Sequence, residues 1–304
     1  MTIPATPRRR PRRARRGRAA EAGTIWAVVP CMGRLSHLRR TLPRLLRQPG
    51  LRYCLVDYAC PDRCGDWVRR RYPDEARRGV IVVETVRAAR YFNKSRAHNR
   101  GATRAIGEGA TFVCFLDADT QVGDGFVRWV RRHVRDDRFL IAGLRPGGWY
   151  VRGTGGTLVV PAPEFERSGG FDEGFEGWGV EDTEMRFRLY LVNGLEFVEI
   201  PIRLLRPIRH PDRIRTQFYR VKDYAVSYGH NRQRLDRKLR VWTGEGLAAL
   251  QERALQLDMR LGTDRPWRPP ASAGAGDHWR IASRLSLSRS MDQVVSASWR
   301  THEA

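Results

Sequence analysis

The chain lacks any run of about 18 apolar residues, so no membrane-spanning helix is expected. It has no GxGxxG after its first apolar run and no GxxxxGKS/T anywhere, which argues against ordinary dinucleotide binding and against a P-loop. No internal repeat is found. Cysteine is sparse and odd in number: Cys31, Cys54, Cys60, Cys64 and Cys114. Cys60 and Cys64 share the stretch CPDRC, but no matching second pair or His pair completes a zinc site. The five read as free thiols in a reducing cytoplasm, with a Cys60–Cys64 bridge as the alternative.

Acid is also in short supply. There are 33 Asp and Glu against 56 Lys and Arg, a formal net charge of +23. The first twenty residues hold eight Arg and no acid, so this tail carries +8 and leaves +15 on the rest. A secretory signal needs an apolar segment of about 7–15 residues and a small-residue cleavage site. The stretch that follows, AAEAGTIWAVVPCMGR, has only a short apolar part that reads as a strand. The tail therefore reads as a solvated, disordered basic arm rather than an export signal. Attraction to anionic lipid or nucleic acid is the sharper alternative.

What is present fits a soluble α/β protein. The 304 residues, 41% hydrophobic and 29% charged, suffice for one large domain with extensions or for two small ones. TIWAVVP (24–30), LRYCLVDYA (51–59), GVIVVETV (79–86) and ATFVCFLDAD (110–119) read as strands. Between them lie helical patterns. The first follows Ser36 as a cap and contains Pro43; the others are GDWVRRRYP and residues 94–109. GDGFVRWVRRHVRDD follows as an amphipathic helix with Phe126, Val127, Val130 and Val134 on one face. Such alternation predicts a mostly parallel sheet covered on both faces, with ligands beyond the carboxyl ends of its strands. Further on, a Gly-rich stretch turns into a helix after Gly179, and LEFVEIPIRLL reads as one more strand. From about residue 211 the chain reads as basic helix, and beyond about 262 as loosely ordered.

Three stretches carry chemistry. FLDADTQVGDGF (115–126) ends an apolar run with Asp117 and Asp119, two carboxylates that repel unless a cation lies near. Hard oxygen ligands suit Mg²⁺ or Mn²⁺; an acidic turn is the plainer reading. GFEGWGVEDTE (174–184) sets Trp178 among glycines and opens a helix with Glu181 and Asp182. The Trp face suits a sugar ring. An ionised carboxylate at a helix N-terminus suits a general base. First-turn acids and a packed Trp are the plainer reading. RPIRHPDR (206–213) places His210 at a strand end, where a neutral imidazole could complete a metal shell.

Together these residues carry a resemblance. Asp117-Ala118-Asp119 resembles the DXD motif of glycosyltransferases with the GT-A fold. FNKSRAHNRGA (92–102) before FLDAD resembles family 2 glycosyltransferases and the FNRA segment of β-1,4-galactosyltransferases. GGFDEGFEGWGVEDTEMRFRL (169–189) is similar to the galactosyltransferase GWGGEDDD motif, with related versions in polypeptide N-acetylgalactosaminyltransferases and chondroitin-type polymerases. PIRHPDR is similar to IRHSRD of the galactosyltransferases. The match spans roughly residues 24–215.

The resemblance implies a GT-A, Rossmann-like sheet with helices on both faces and a basic helical C-terminal extension. It divides the chain into a tail (1–22), a catalytic domain (23–215) and an extension (216–304). Within the domain, 23–120 would bind nucleotide and 121–215 acceptor. It implies nucleotide-sugar binding by Pro30, Arg34, Asp57, Phe92, Lys94 and Asp117, and metal binding by Asp119 and His210. Trp178 and Gly179 would line the sugar sites, with Asp182 as base and Glu181 beside it. The implied activity is inverting, Mn²⁺- or Mg²⁺-dependent transfer of a hexose or N-acetylhexosamine from a UDP-linked donor to a saccharide, peptide or small-molecule hydroxyl. Expected localisation is cytoplasmic, with peripheral contact to anionic membrane through the tail. Retaining transfer, nucleotide-sugar hydrolysis and a non-catalytic nucleic-acid-binding role are the alternatives. This sequence departs from the pattern at Pro207, where the galactosyltransferases have a Met metal ligand, and at Val180, where they have Gly. Cys31 and Met32 replace the Phe-Arg beside the uridine, and His98 replaces the Arg usual in family 2.

Overall fold

A computed structural model describes residues 23–145, 149–150, 153–244 and 246. Expectations for the arginine tail and for the chain beyond residue 246 lie outside the described residues.

The N-terminal half runs β1 (Ile25–Cys31), α1 (Leu35–Leu46), β2 (Leu51–Tyr58), α2 (Cys64–Arg71), α3 (Pro73–Arg77), β3 (Ile81–Val86) and α4 (Lys94–Gly107). It continues through β4 (Phe112–Phe115), β5 (Thr120–Val122) and α5 (Phe126–His133). The second half adds β6 (Arg138–Ala142), β7 (Leu144–Arg145), β8 (Trp149–Tyr150), β9 (Leu158–Pro161) and α6 (Ala162–Arg167). Then come α7 (Glu181–Leu191), β10 (Glu196–Ile200), β11 (Leu205–Pro207), α8 (Asp212–Arg215) and α9 (Tyr224–Thr243).

Seven strands form the main sheet, in the order β10-β6-β9-β4-β1-β2-β3. β4, β1, β2 and β3 are parallel neighbours, and so are β10 and β6. β9 enters antiparallel between β4 and β6. Alternation along β1 splits the core. Trp26 and Val28 face one apolar cluster, Ile25, Ala27 and Val29 the other. Helices therefore cover both faces, as the strand–helix alternation predicts. Among the described residues no helix is long and apolar enough to cross a membrane.

Local differences have local causes. Ser36 does not cap α1; the helix begins at Leu35, whose N–H donates to the Asp62 carboxylate at 3.1 Å. Pro43 stays inside α1. Its missing N–H would have bonded the carbonyl of Arg39, an exposed residue that water can satisfy. β4 stops at Phe115, four residues earlier than expected, so Asp117 and Asp119 stand in the turn beyond it. LEFVEIPIRLL is not one strand. Pro201 ends β10, a short 3₁₀ turn follows, and β11 joins β5 in a separate antiparallel ribbon. The basic helix expected from about 211 is two helices, with Phe218 and Tyr219 in the loop between them.

Candidate active site

A cleft opens beyond the carboxyl ends of β1 and β4, where an open α/β sheet places its ligands. Residues from both halves line it. From β1 and the loop after it come Pro30, Met32 and Arg34. Phe92 and Lys94 come from the start of α4, and Asp117 and Asp119 from the β4–β5 turn. Trp178 and Glu181 come from the α7 approach, and His210 from the loop after β11.

The β5–β11 ribbon brings two distant motifs together. Thr120 pairs with Pro207, and the Ile208 N–H donates to the Asp119 carbonyl at 2.7 Å. His210 then meets Asp119, Nε2 to Oδ2 at 2.7 Å, across 91 residues of sequence. Its Nδ1 lies 3.1 Å from the Pro211 carbonyl. Pro207 has no side-chain donor to add, but its backbone holds the register that seats His210.

Lys94 forms the second cluster. Its Nζ lies 2.7 Å from Asp117 Oδ1 and 3.1 Å from Glu181 Oε1. Burial disfavours charge on Lys94, yet Asp117, Glu181 and Asp182 outweigh it and hold the ammonium well above its usual pKa. Burial likewise opposes charge on Asp117, but Lys94 keeps that carboxyl below its usual range. Glu181 moves the other way: burial raises its pKa, and Oε2 has no hydrogen-bond partner. Gly156 makes room for the pair. A Cβ there would sit 2.4 Å from Asp117 Oδ2 and 2.9 Å from Lys94 Nζ.

Trp178 sits under the Arg215 guanidinium, 5.8 Å from its ring centre, and edge-on to Tyr224. α9 anchors this loop. Ser227 Oγ accepts the Trp178 N–H, and Asn231 Nδ2 donates to the carbonyls of Glu176 and Gly179 at 3.0 and 2.8 Å. Val180 takes φ 77°, a left-handed conformation costly for a β-branched residue and placed directly before the two acids.

Three expected residues stand outside the cleft lining. Asp57 is buried behind it, its carboxylate accepting the N–H groups of Cys60 and Gly65 at 3.0 Å each. Gly179 packs beneath the Trp178 loop against Tyr228. Asp182 lies beside Glu181, with Oδ1 accepting the Thr183 N–H at 2.7 Å and Oδ2 3.5 Å from Arg186.

Arg215, Phe218, Tyr219 and Gly153 also line the cleft and were missed from sequence. The Phe92 N–H donates to the Phe218 carbonyl at 2.8 Å, and the Phe92 and Tyr219 rings lie 5.5 Å apart. The cleft thus extends past residue 215, the expected domain boundary. His37 was missed too. Its ring lies 5.3 Å from His210, burial holds it below its usual pKa, and its Nδ1 has no partner. The aromatic pair in TQFYR was the only signal for the first group; for His37 there was none.

The chain is similar to known proteins in sequence and in fold. The family described as the N-terminal domain of galactosyltransferase matches residues 141–211. Beta-1,4-galactosyltransferase 4 of Rattus norvegicus is 24% identical over 187 residues, 59% of this chain and 50% of that one. Beta-1,4-galactosyltransferase 2 of Cricetulus griseus is 26% identical over 197 residues, 62% of this chain and 46% of that one. The chain spans about half the length of these curated relatives. In fold it is similar to the mannosyltransferase PcManGT from Pyrobaculum calidifontis in complex with GDP-Man and Mn²⁺. The TM-score is 0.56 at 15% identity, covering 93% of this chain and 75% of that one. It is also similar to S. aureus TarS 1–349 in complex with UDP-GlcNAc, with TM-score 0.56 at 13% identity, covering 85% and 79%. The proteins it is similar to in sequence and in fold are glycosyltransferases, and its mostly parallel, helix-flanked sheet is that of the GT-A fold.

Proposed function

We propose that this protein is a metal-dependent, inverting glycosyltransferase that moves a hexose or N-acetylhexosamine from a UDP-linked donor to an acceptor hydroxyl. One observation carries the reading: Asp119 with Asp117, His210, Lys94, and Trp178 with Glu181 converge on one cleft from four separate segments, and Asp182 stands beside Glu181 at its edge. The carboxylate and imidazole that meet at 2.7 Å offer a hard oxygen, which suits Mn²⁺ or Mg²⁺, and a borderline nitrogen, which favours Mn²⁺ of the two. Asp119 and His210 would hold that ion, which when bound neutralises charge growing on the leaving diphosphate.

The chain's own groups do the rest. Arg34 and Arg215 bring positive charge to the diphosphate side. Lys94 fixes Asp117 and Glu181 relative to each other, so both are in place before a donor arrives. Trp178 gives a flat face for a sugar ring. Glu181 is committed to the Lys94 cluster, whereas Asp182 Oδ2 has only the long contact to Arg186. Asp182 takes the proton from the acceptor hydroxyl as that oxygen attacks the anomeric carbon from the face opposite the leaving group. The bond to the diphosphate oxygen breaks and the new glycosidic bond forms with inverted configuration. Transfer from UDP-sugars to a panel of saccharide acceptors, with the product anomer read by NMR, tests this. Retained configuration would overturn the inverting step, and release of free sugar alone would indicate a hydrolase. The cytoplasmic setting and the membrane contact of the arginine tail belong to the same proposal and rest on composition.

A further inference from the structure

The transfer chemistry leaves three cysteines unused. Cys31 ends β1, Cys60 follows β2 and Cys64 opens α2. Two separate loops bring them together: their sulfurs all lie within 4.8 Å of one another, and all three residues are buried. Cys31 and Cys64 are fully covered, while Cys60 keeps 8% exposure. The Gly33 N–H donates to Cys60 Sγ at 3.2 Å. Hydrogen bonds from Cys31 and then Cys64 hold the Cys60 thiol far below its usual pKa, and the same sulfur contacts push Cys31 and Cys64 up.

We propose that Cys31, Cys60 and Cys64 form a zinc site, separate from the Asp119–His210 pair. Converging thiolates are soft ligands that select Zn²⁺ and leave Mn²⁺ and Mg²⁺ to carboxylate sites. On binding, three Zn–S bonds form, the thiol protons pass to solvent, and no electrons move. Water would supply the fourth ligand. The site ties the loop after β1 to the loop after β2. The first of these loops carries Met32 and Arg34, so zinc would fix one wall of the cleft without touching the reacting atoms.

The test measures metal in the full-length protein, purified without chelator, by inductively coupled plasma mass spectrometry. Wild type and Asp119→Ala should each carry about one zinc per chain, and Cys64→Ser should carry none. Reduced, chelator-treated wild type should also take up Co²⁺ with thiolate-to-metal charge-transfer bands in the near ultraviolet. That arm needs no variant and stands if Cys64→Ser fails to fold. Reduced wild type that holds no zinc and gives no such bands with Co²⁺ would overturn the proposal. So would an intact mass showing a disulfide within the cluster as purified. Zinc lost in Asp119→Ala but kept in Cys64→Ser would move the ion to the cleft and also overturn it.

Discussion

Asp182 and Glu181 are neighbours with different surroundings, and substitution should separate them. Asp182→Asn removes the proposed base while keeping the acceptor for the Thr183 N–H. The expected outcome is a loss of about 10²–10⁴-fold in kcat with donor binding retained, measured by steady-state kinetics and donor titration. Glu181→Gln removes a charge that faces Lys94, so it should weaken donor binding as well as turnover. Full transfer by Asp182→Asn would shift the base role to Glu181. His98 gives a pH prediction. It is fully buried between Phe171 and Phe115, and burial pushes its pKa down to about 3. The unfolded imidazole titrates near 6.5, so between these values the unfolded chain binds more protons. The contribution is fully present above about pH 6.5 and falls as pH drops toward 3, by a few kcal/mol, on the order of the shift. His98→Phe keeps ring packing and should flatten that limb of a denaturation-versus-pH series. An unchanged slope would mean that other groups dominate acid unfolding.

At the scale of elements, the loop after β1 and the segment between α8 and α9 close on each other. Gly33 has φ +66°, and a Cβ there would lie 1.9 Å from the Phe218 ring. Gly33→Ala should cost about 1–3 kcal/mol in a denaturant titration and weaken donor binding, because Phe218 must leave the Phe92 side of the cleft. This contact also shows what the sequence could and could not reveal. β1 through β4 were legible because short β-branched runs alternate with helical spacing and turn residues. β6 was not read as a strand, and the antiparallel entry of β9 was not foreseen; strand order is set by pairing between segments far apart in sequence. The DXD-like pair, Lys94 and His210 were legible from local residue patterns. Their meeting was not, since it depends on a three-residue ribbon with no signature of its own. Asp57 was given a nucleotide contact by the resemblance alone; in the structure its carboxylate accepts two backbone N–H groups behind the cleft.

For the whole molecule, charge separates the readings. Removing residues 1–20 takes away +8 and none of the cleft, so sugar transfer should persist while any nucleic-acid affinity falls. Loss of transfer on that deletion would make the tail part of the enzyme. The central claim is a metal-dependent nucleotide site at the strand ends, and a ligand that binds only the folded state raises the melting temperature. The most direct measurement is thermal unfolding with UDP, GDP, CDP or dTDP, each with and without Mn²⁺, on wild type and Asp119→Ala. A UDP shift that requires Mn²⁺ and vanishes in Asp119→Ala is the predicted result. No shift with any nucleotide would contradict it and leave Asp117 and Asp119 as an acidic turn.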